Sequence, residues 1–185
     1  VGVHGHRHPL VDAAVKAQLD KMAHSTFLGL SHPPAVELAK RLVDLTPDRL
    51  NRVFFSDSGS TAVEVALKMA FQGQQQRGET QRTRFAALSH GYHGDTVGSV
   101  SVGGIELFHA IYKPLLFDVL HLPCPDHYED EELLSQAAVA QLEEVGDELV
   151  AVVVEPLVQG AAGMRMHSPA FLNPVLAKAR ELGAM

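Results

Sequence analysis

Asp57-Ser58-Gly59-Ser60-Thr61 sets a glycine among hydroxyl side chains where a helix-periodic apolar stretch begins. A helix start of this kind offers free backbone N–H groups, hydroxyl donors and the positive end of the helix dipole, which together suit a phosphate. Each charge-assisted hydrogen bond there is worth about 1.5–3 kcal/mol. The same residues also suit an ordinary cap, with Ser58 or Ser60 accepting from the first helical amides. They form neither a Walker loop nor a dinucleotide fingerprint. A second group is Gly91-Tyr92-His93-Gly94-Asp95-Thr96. Here the flanking glycines can let the Tyr92 ring lie over a flat heteroaromatic ligand, with Asp95 facing the same cleft. The plainer alternative makes Tyr92 a half-buried turn residue and Asp95 a helix N-cap. The third is Glu155-Pro156, a carboxylate directly after a buried apolar run, which must be paired or face a cleft.

Histidine and cysteine are the other candidates for chemistry. Of the eleven histidines, His4, His6 and His8 alternate, and His90 and His93 sit three apart, spacings that metal ligands can use. No carboxylate or cysteine spacing completes a tetrahedral set, so the expectation is no metal; a metal-dependent hydrolase built on His4, His6 and His8 is the rival reading from another class. Cys124, the one cysteine, lies between prolines without an evident base and reads as packing.

These residues must be positioned by alternating helices and short strands. One helix is predicted from Pro9 to about Ala23, and another from near Pro33 that buries Val36, Leu38, Ala39 and Leu42. Arg52-Val53-Phe54-Phe55 reads as a strand leading through the Ser58-Gly59 turn into a long helix with Val63, Ala66, Leu67, Ala70 and Phe71 on one face. Further strands are read at Phe85 to Leu88, Val119 to Leu122 and Leu149 to Val154. A short helical stretch follows near Thr96, a helix over about Glu131 to Glu144, and a last helix with Phe171, Leu172, Val175, Leu176, Ala179 and Leu182 on one stripe. The expected fold class is α/β, a three-layer αβα arrangement around a mostly parallel sheet. Ligands in such a fold collect at the carboxyl ends of the strands, where all three motifs fall. The chain reads as one partial domain over 1–185, with leading helices in 1–50 and alternating strands and helices in 51–185.

Composition narrows the class. With 185 residues and 46% apolar side chains, the chain can bury one sizeable core. Its net charge of −7, without a basic cluster, argues against nucleic acid. No apolar run approaches the roughly 20 residues a membrane span needs, so no membrane partner and a cytoplasmic location are expected. Val1 runs straight into a polar turn and the last helical pattern stops at Gly183-Ala184-Met185, so both ends read as cuts in a longer protein.

His4-Gly5-His6-Arg7-His8-Pro9, Asp57-Ser58-Gly59-Ser60, Gly91-Tyr92-His93-Gly94-Asp95 and Glu155-Pro156-Leu157-Val158-Gln159-Gly160-Ala161-Ala162-Gly163-Met164, in this order, resemble class III, fold-type I aminotransferases. The resemblance runs through essentially the whole chain, and implies the N-terminal half of the large domain of a pyridoxal 5'-phosphate enzyme. It implies that Ser58, Gly59 and Ser60 hold the cofactor phosphate, that Tyr92 stacks on the pyridine ring and also meets substrate, that Asp95 lies on the substrate side, and that Glu155 stands behind the ring. His93 matches the motif without an assigned role.

Ornithine and 4-aminobutyrate aminotransferases are similar too, but several carry a glutamate where Ala161 stands. The departure favours the branch serving biotin synthesis. For that branch the resemblance implies amino transfer from S-adenosylmethionine to 7-keto-8-aminopelargonate in an enzyme that is homodimeric at full length. Another class III ω-amino-acid transaminase is the alternative. Such an enzyme needs a lysine that forms a Schiff base with the cofactor and an aspartate that keeps the pyridine nitrogen protonated. Lys16, Lys21, Lys40, Lys68, Lys113 and Lys178 do not match that lysine's position, so no catalytic residue is assigned. The tryptophan pair usual in this branch is missing as well. The chain alone is expected to be inactive and poorly stable, since half a parallel sheet leaves an apolar edge unpaired.

Overall fold

A computed structural model describes residues 2–105, 110–126 and 129–185. Its contacts divide the chain into two compact units, Val1–Phe54 and Phe55–Met185.

Proline starts both helices of the first unit, α1 (Pro9–Leu19) and α2 (Pro33–Leu45), where its missing N–H is no loss. α1 ends earlier than the predicted Ala23. Gln18 accepts from both Lys21 N–H and Met22 N–H and returns its side-chain amide to Met22 O, a local turn that competes with further helix. α2 forms as predicted, but Ala35 is its only buried residue, and Val36, Leu38 and Leu42 are exposed. The stripe is present, but among the described residues of this unit no second layer packs upon it.

The second unit opens with α3 (Gly59–Gln76). Ser58 accepts from Thr61 N–H while Thr61 Oγ1 accepts from Ser58 N–H, a reciprocal cap. The predicted strand over 52–55 does not form, and neither sheet includes those residues. A strand exists only by pairing, which local β-propensity cannot supply. Among the described residues the parallel sheet therefore has three strands rather than four: β1 (Arg84–Leu88), β2 (Val119–Leu122) and β3 (Leu149–Val153), in the order β2-β1-β3. α4 (Val97–Ser101) follows β1, α5 (Glu131–Val145) follows β2, and a two-residue antiparallel pair, β4 (Val158–Gln159) and β5 (Arg165–Met166), follows β3 before α6 (Pro169–Glu181).

Alternation along β1 builds the three layers. Ala86 and Leu88 join Leu122, Leu142, Phe171 and Val175 on the α5–α6 side, while Phe85 and Ala87 join Leu67, Ala70 and Val102 on the α3–α4 side. The α6 stripe is buried as predicted, with Leu176 and Leu182 packed against it. On α3 the buried line is Leu67, Ala70 and Gln74, with Ala66 and Phe71 outside it. Gln74 is buried because its amide donates to Val150 O and Gly183 O.

Arg82, also buried, donates to Leu149 O and Leu182 O at 2.7 Å each, fastening the start of β3 to the end of α6. Cys124 lies in the α5–α6 core, where burial pushes its thiol up to about 11. Among the described residues no helix is long and apolar enough to cross a membrane.

Candidate active site

The tyrosine loop follows β1 and Glu155 follows β3, where the two are hydrogen-bonded, and the start of α3 meets the far end of the tyrosine loop at Thr96. Ser58 is occupied as a cap, so the capping reading holds for that residue. The anion reading passes to its neighbours, because neither Gly59 N–H nor Ser60 N–H has a hydrogen-bond partner among the described residues. A Cβ built on Gly59 would meet nothing within 4 Å, so the approach to these amides is open. The helix start thus keeps two donors and its dipole for an anion.

Ser60 also joins this helix start to the tyrosine loop. Its Oγ accepts from Thr96 N–H at 3.1 Å and lies 3.0 Å from Thr96 Oγ1, while Ser99 Oγ donates to Ser60 O at 3.0 Å. Gly94 makes the approach feasible: its φ is +119°, and a Cβ there would come within 2.8 Å of Ser60 Cα. Glu64 adds a brace, accepting from Gly98 N–H at 2.6 Å and Ser99 N–H at 3.3 Å.

Tyr92 is held at both ends. Its backbone N–H donates to Glu155 Oε1 at 2.8 Å, and its phenol donates to Asp95 Oδ2 at 2.8 Å. Chiefly because of that bond to Asp95, with burial second, the phenol titrates above its ordinary range. Asp95 is bound to Tyr92 rather than capping α4, whose N-cap is Thr96. The second oxygen of Glu155 accepts from Gly160 N–H at 3.1 Å, so the carboxylate ties the tyrosine loop to the loop after β3. His93 packs close to Gly91; burial lowers its pKa, partly opposed by Glu155, and its Nε2 is buried without a partner.

The structure therefore brings together Tyr92, Asp95 and Glu155, and separately Ser60 with the Gly94–Thr96 turn, two residues beyond Tyr92. Ser58 makes no bond to the tyrosine loop. Sequence reasoning placed Thr96 in the tyrosine motif without giving it a role, and passed over Ser99, Glu64 and His167. The small pair Gly98-Ser99, where α3 and α4 meet closely, was the available signal for Ser99 and Glu64; His167 carried none. Among the described residues no group of three His, Cys, Asp or Glu is arranged to hold a metal, and His4, His6 and His8 do not form one.

A parallel three-layer fold carrying an anion-ready helix start, a tyrosine loop and a carboxylate at the strand ends defines a class. The chain belongs to the class-III aminotransferases, whose family description matches residues 1–185. Within that family it is 54% identical over 182 residues to the adenosylmethionine-8-amino-7-oxononanoate aminotransferase of Nitratidesulfovibrio vulgaris, covering 92% of this chain and 34% of the relative. It is 45% identical to the same-named enzyme of Synechococcus elongatus, covering 100% of this chain and 45% of the relative.

The crystal structure of the Methanocaldococcus jannaschii enzyme of that name superposes with a TM-score of 0.91 at 41% identity, over 98% of this chain and 40% of that one. A PLP-bound amine transaminase from an uncultivated Pseudomonas species gives 0.89 at 37% identity, over 98% and 44%. The chain thus spans less than half the length of these relatives.

Proposed function

We propose that this chain supplies the phosphate- and ring-holding part of a pyridoxal 5'-phosphate site in an aminotransferase of biotin synthesis, one that moves an amino group from S-adenosylmethionine to 7-keto-8-aminopelargonate. The observation that carries the reading is the pair of unpartnered amides at Gly59 and Ser60, fastened through Ser60 to the loop that bears Tyr92. A phosphate monoester fits the donor set, and a flat ring attached to it would lie toward the tyrosine. When bound, the cofactor supplies an electron sink for labile bonds at the amino-bearing carbon.

The chain's own residues bind and orient. Gly59 and Ser60 donate to the phosphate, with the Ser58 cap holding the helix start that aims them. Tyr92 covers the ring, and Asp95 fixes the phenol beside the substrate side. Glu155 holds the backbone at Tyr92 through one oxygen and the Gly160 turn through the other. Lys40 and Lys178 are engaged in surface ion pairs, and Lys16, Lys21 and Lys68 are exposed on helices or just beyond. We assign covalent attachment of the cofactor to the part of the relatives' length this chain does not span, and a homodimer to the protein at that length.

The test is a transamination assay on a protein carrying this chain at the length of its relatives. S-adenosylmethionine with 7-keto-8-aminopelargonate is expected to be the most efficient pair. Faster turnover with simple amines as donors would replace it with the second reading, favoured by the likeness to the Pseudomonas amine transaminase.

A further inference from the structure

The hairpin that follows Glu155 has two unlike faces. β4 and β5 pair Val158 with Met166 and Gln159 with Arg165, so strand alternation puts Gln159, Arg165 and His167 on one face and Met166 on the other. Gln159 and His167 are buried, whereas Met166 is exposed. Each inward residue reaches the carboxyl end of a different strand of the parallel sheet. Gln159 Nε2 donates to Ser89 O, just after β1, at 2.8 Å. Arg165 pairs with Asp126, in the segment after β2, at 3.4 Å. His167 Nε2 lies 3.1 Å from Glu155 O, just after β3.

His167 has the tightest hold on the proposed site. A carbonyl oxygen only accepts, so Nε2 is the donor in this bond, and Nδ1 is buried without a partner. A leucine would fill the space without orphaning an atom; what the imidazole adds is its bond. Its backbone contributes too, His167 N–H donating to Leu157 O at 3.0 Å. His167 thereby grips both sides of Pro156-Leu157, where Leu157 has a φ of +68°, a conformation that must be held from outside. The other end of the same residue, Glu155, accepts from Tyr92 N–H.

We propose that the inward face of this hairpin is a positioning layer for Glu155 and Tyr92, with His167 as its central residue. The proposal rests on the reading of Glu155 and Tyr92 given above. The experiment uses His167→Leu, His167→Gln and the outward-face variant Met166→Gln in a protein carrying this chain at the length of its relatives, loaded with pyridoxal phosphate. Visible circular dichroism per bound cofactor reports ring orientation, alongside cofactor affinity, KM, kcat and the thermal midpoint.

His167→Leu is expected to lower kcat about tenfold while KM stays within about twofold, and to weaken the induced ellipticity. His167→Gln, which restores an N–H donor, should recover most of both, and Met166→Gln should match wild type. Unchanged ellipticity in His167→Leu, or no recovery in His167→Gln, overturns the proposal. Should His167→Leu not fold, Arg165→Met is read the same way, and unchanged ellipticity there overturns it equally. A wild type that shows no cofactor band at all defeats the underlying reading instead, and is told apart by that absence.

Discussion

α2 and α6 are both 13 residues long, both begin with proline and both carry an apolar stripe, yet they end in different states. The α6 stripe is buried against α5 and the sheet, whereas Val36, Leu38 and Leu42 of α2 remain exposed. The same contrast separates the two units. Residues 55–185 are braced by long-range side-chain bonds from Gln74, Arg82, Glu64, Glu155 and Gln159, while side-chain bonds in residues 2–54 are local ones such as Arg7 to Asp12. Periodicity fixes that a helix forms and which side is apolar; what lies on that side is a separate fact.

The largest expected difference lies in the stripes themselves. Phe171→Ala should cost about 3–5 kcal/mol in urea unfolding followed by circular dichroism, against under about 1 kcal/mol for Leu38→Ala. Equal costs would mean that α2 is covered in solution. Arginines come next: Arg82→Met removes a buried guanidinium from two carbonyls and should cost about 2–4 kcal/mol, whereas Arg7→Met, losing an exposed ion pair, should stay within about 0.5 kcal/mol.

For glycines, Gly94→Ala drives a methyl group into Ser60 at a left-handed φ and should cost about 1–3 kcal/mol. Gly160→Ala, where a Cβ meets open space, should be nearly neutral by the same measurement.

The smallest effect is on pH dependence. Burial lowers His90, His93 and His121 from 6.5, so the unfolded chain takes up their protons first. Stability is then full above pH 6.5 and declines slightly as the pH falls below it, the slope kept small because His90 and His121 are exposed and screened by solvent. His93→Asn should flatten part of that slope.

Sequence carried the three layers, β1 to β3, the α6 stripe and the convergence of the Tyr92 and Glu155 loops, because each rests on local periodicity or on the strand-end rule for parallel sheets. It failed at 52–55, where β-branched and aromatic residues suggest a strand but pairing decides. Ser58 and Ser60 looked interchangeable, yet the reciprocal bond to Thr61 commits the first to capping and leaves the second to bridge α3 and α4. Glu64 and Ser99 were invisible because their partners lie 34–39 residues away. The inward face of the hairpin depends on one left-handed leucine that no propensity announces.

The lone thiol at Cys124 turns the core into its own clock. Sealed between α5, α6 and the sheet and held protonated at neutral pH, it will react with a thiol reagent only when that half of the molecule opens. Because the chain has one cysteine, label accumulation reports the open population when reclosing is fast and the opening rate when labelling outpaces it, with no engineered probe.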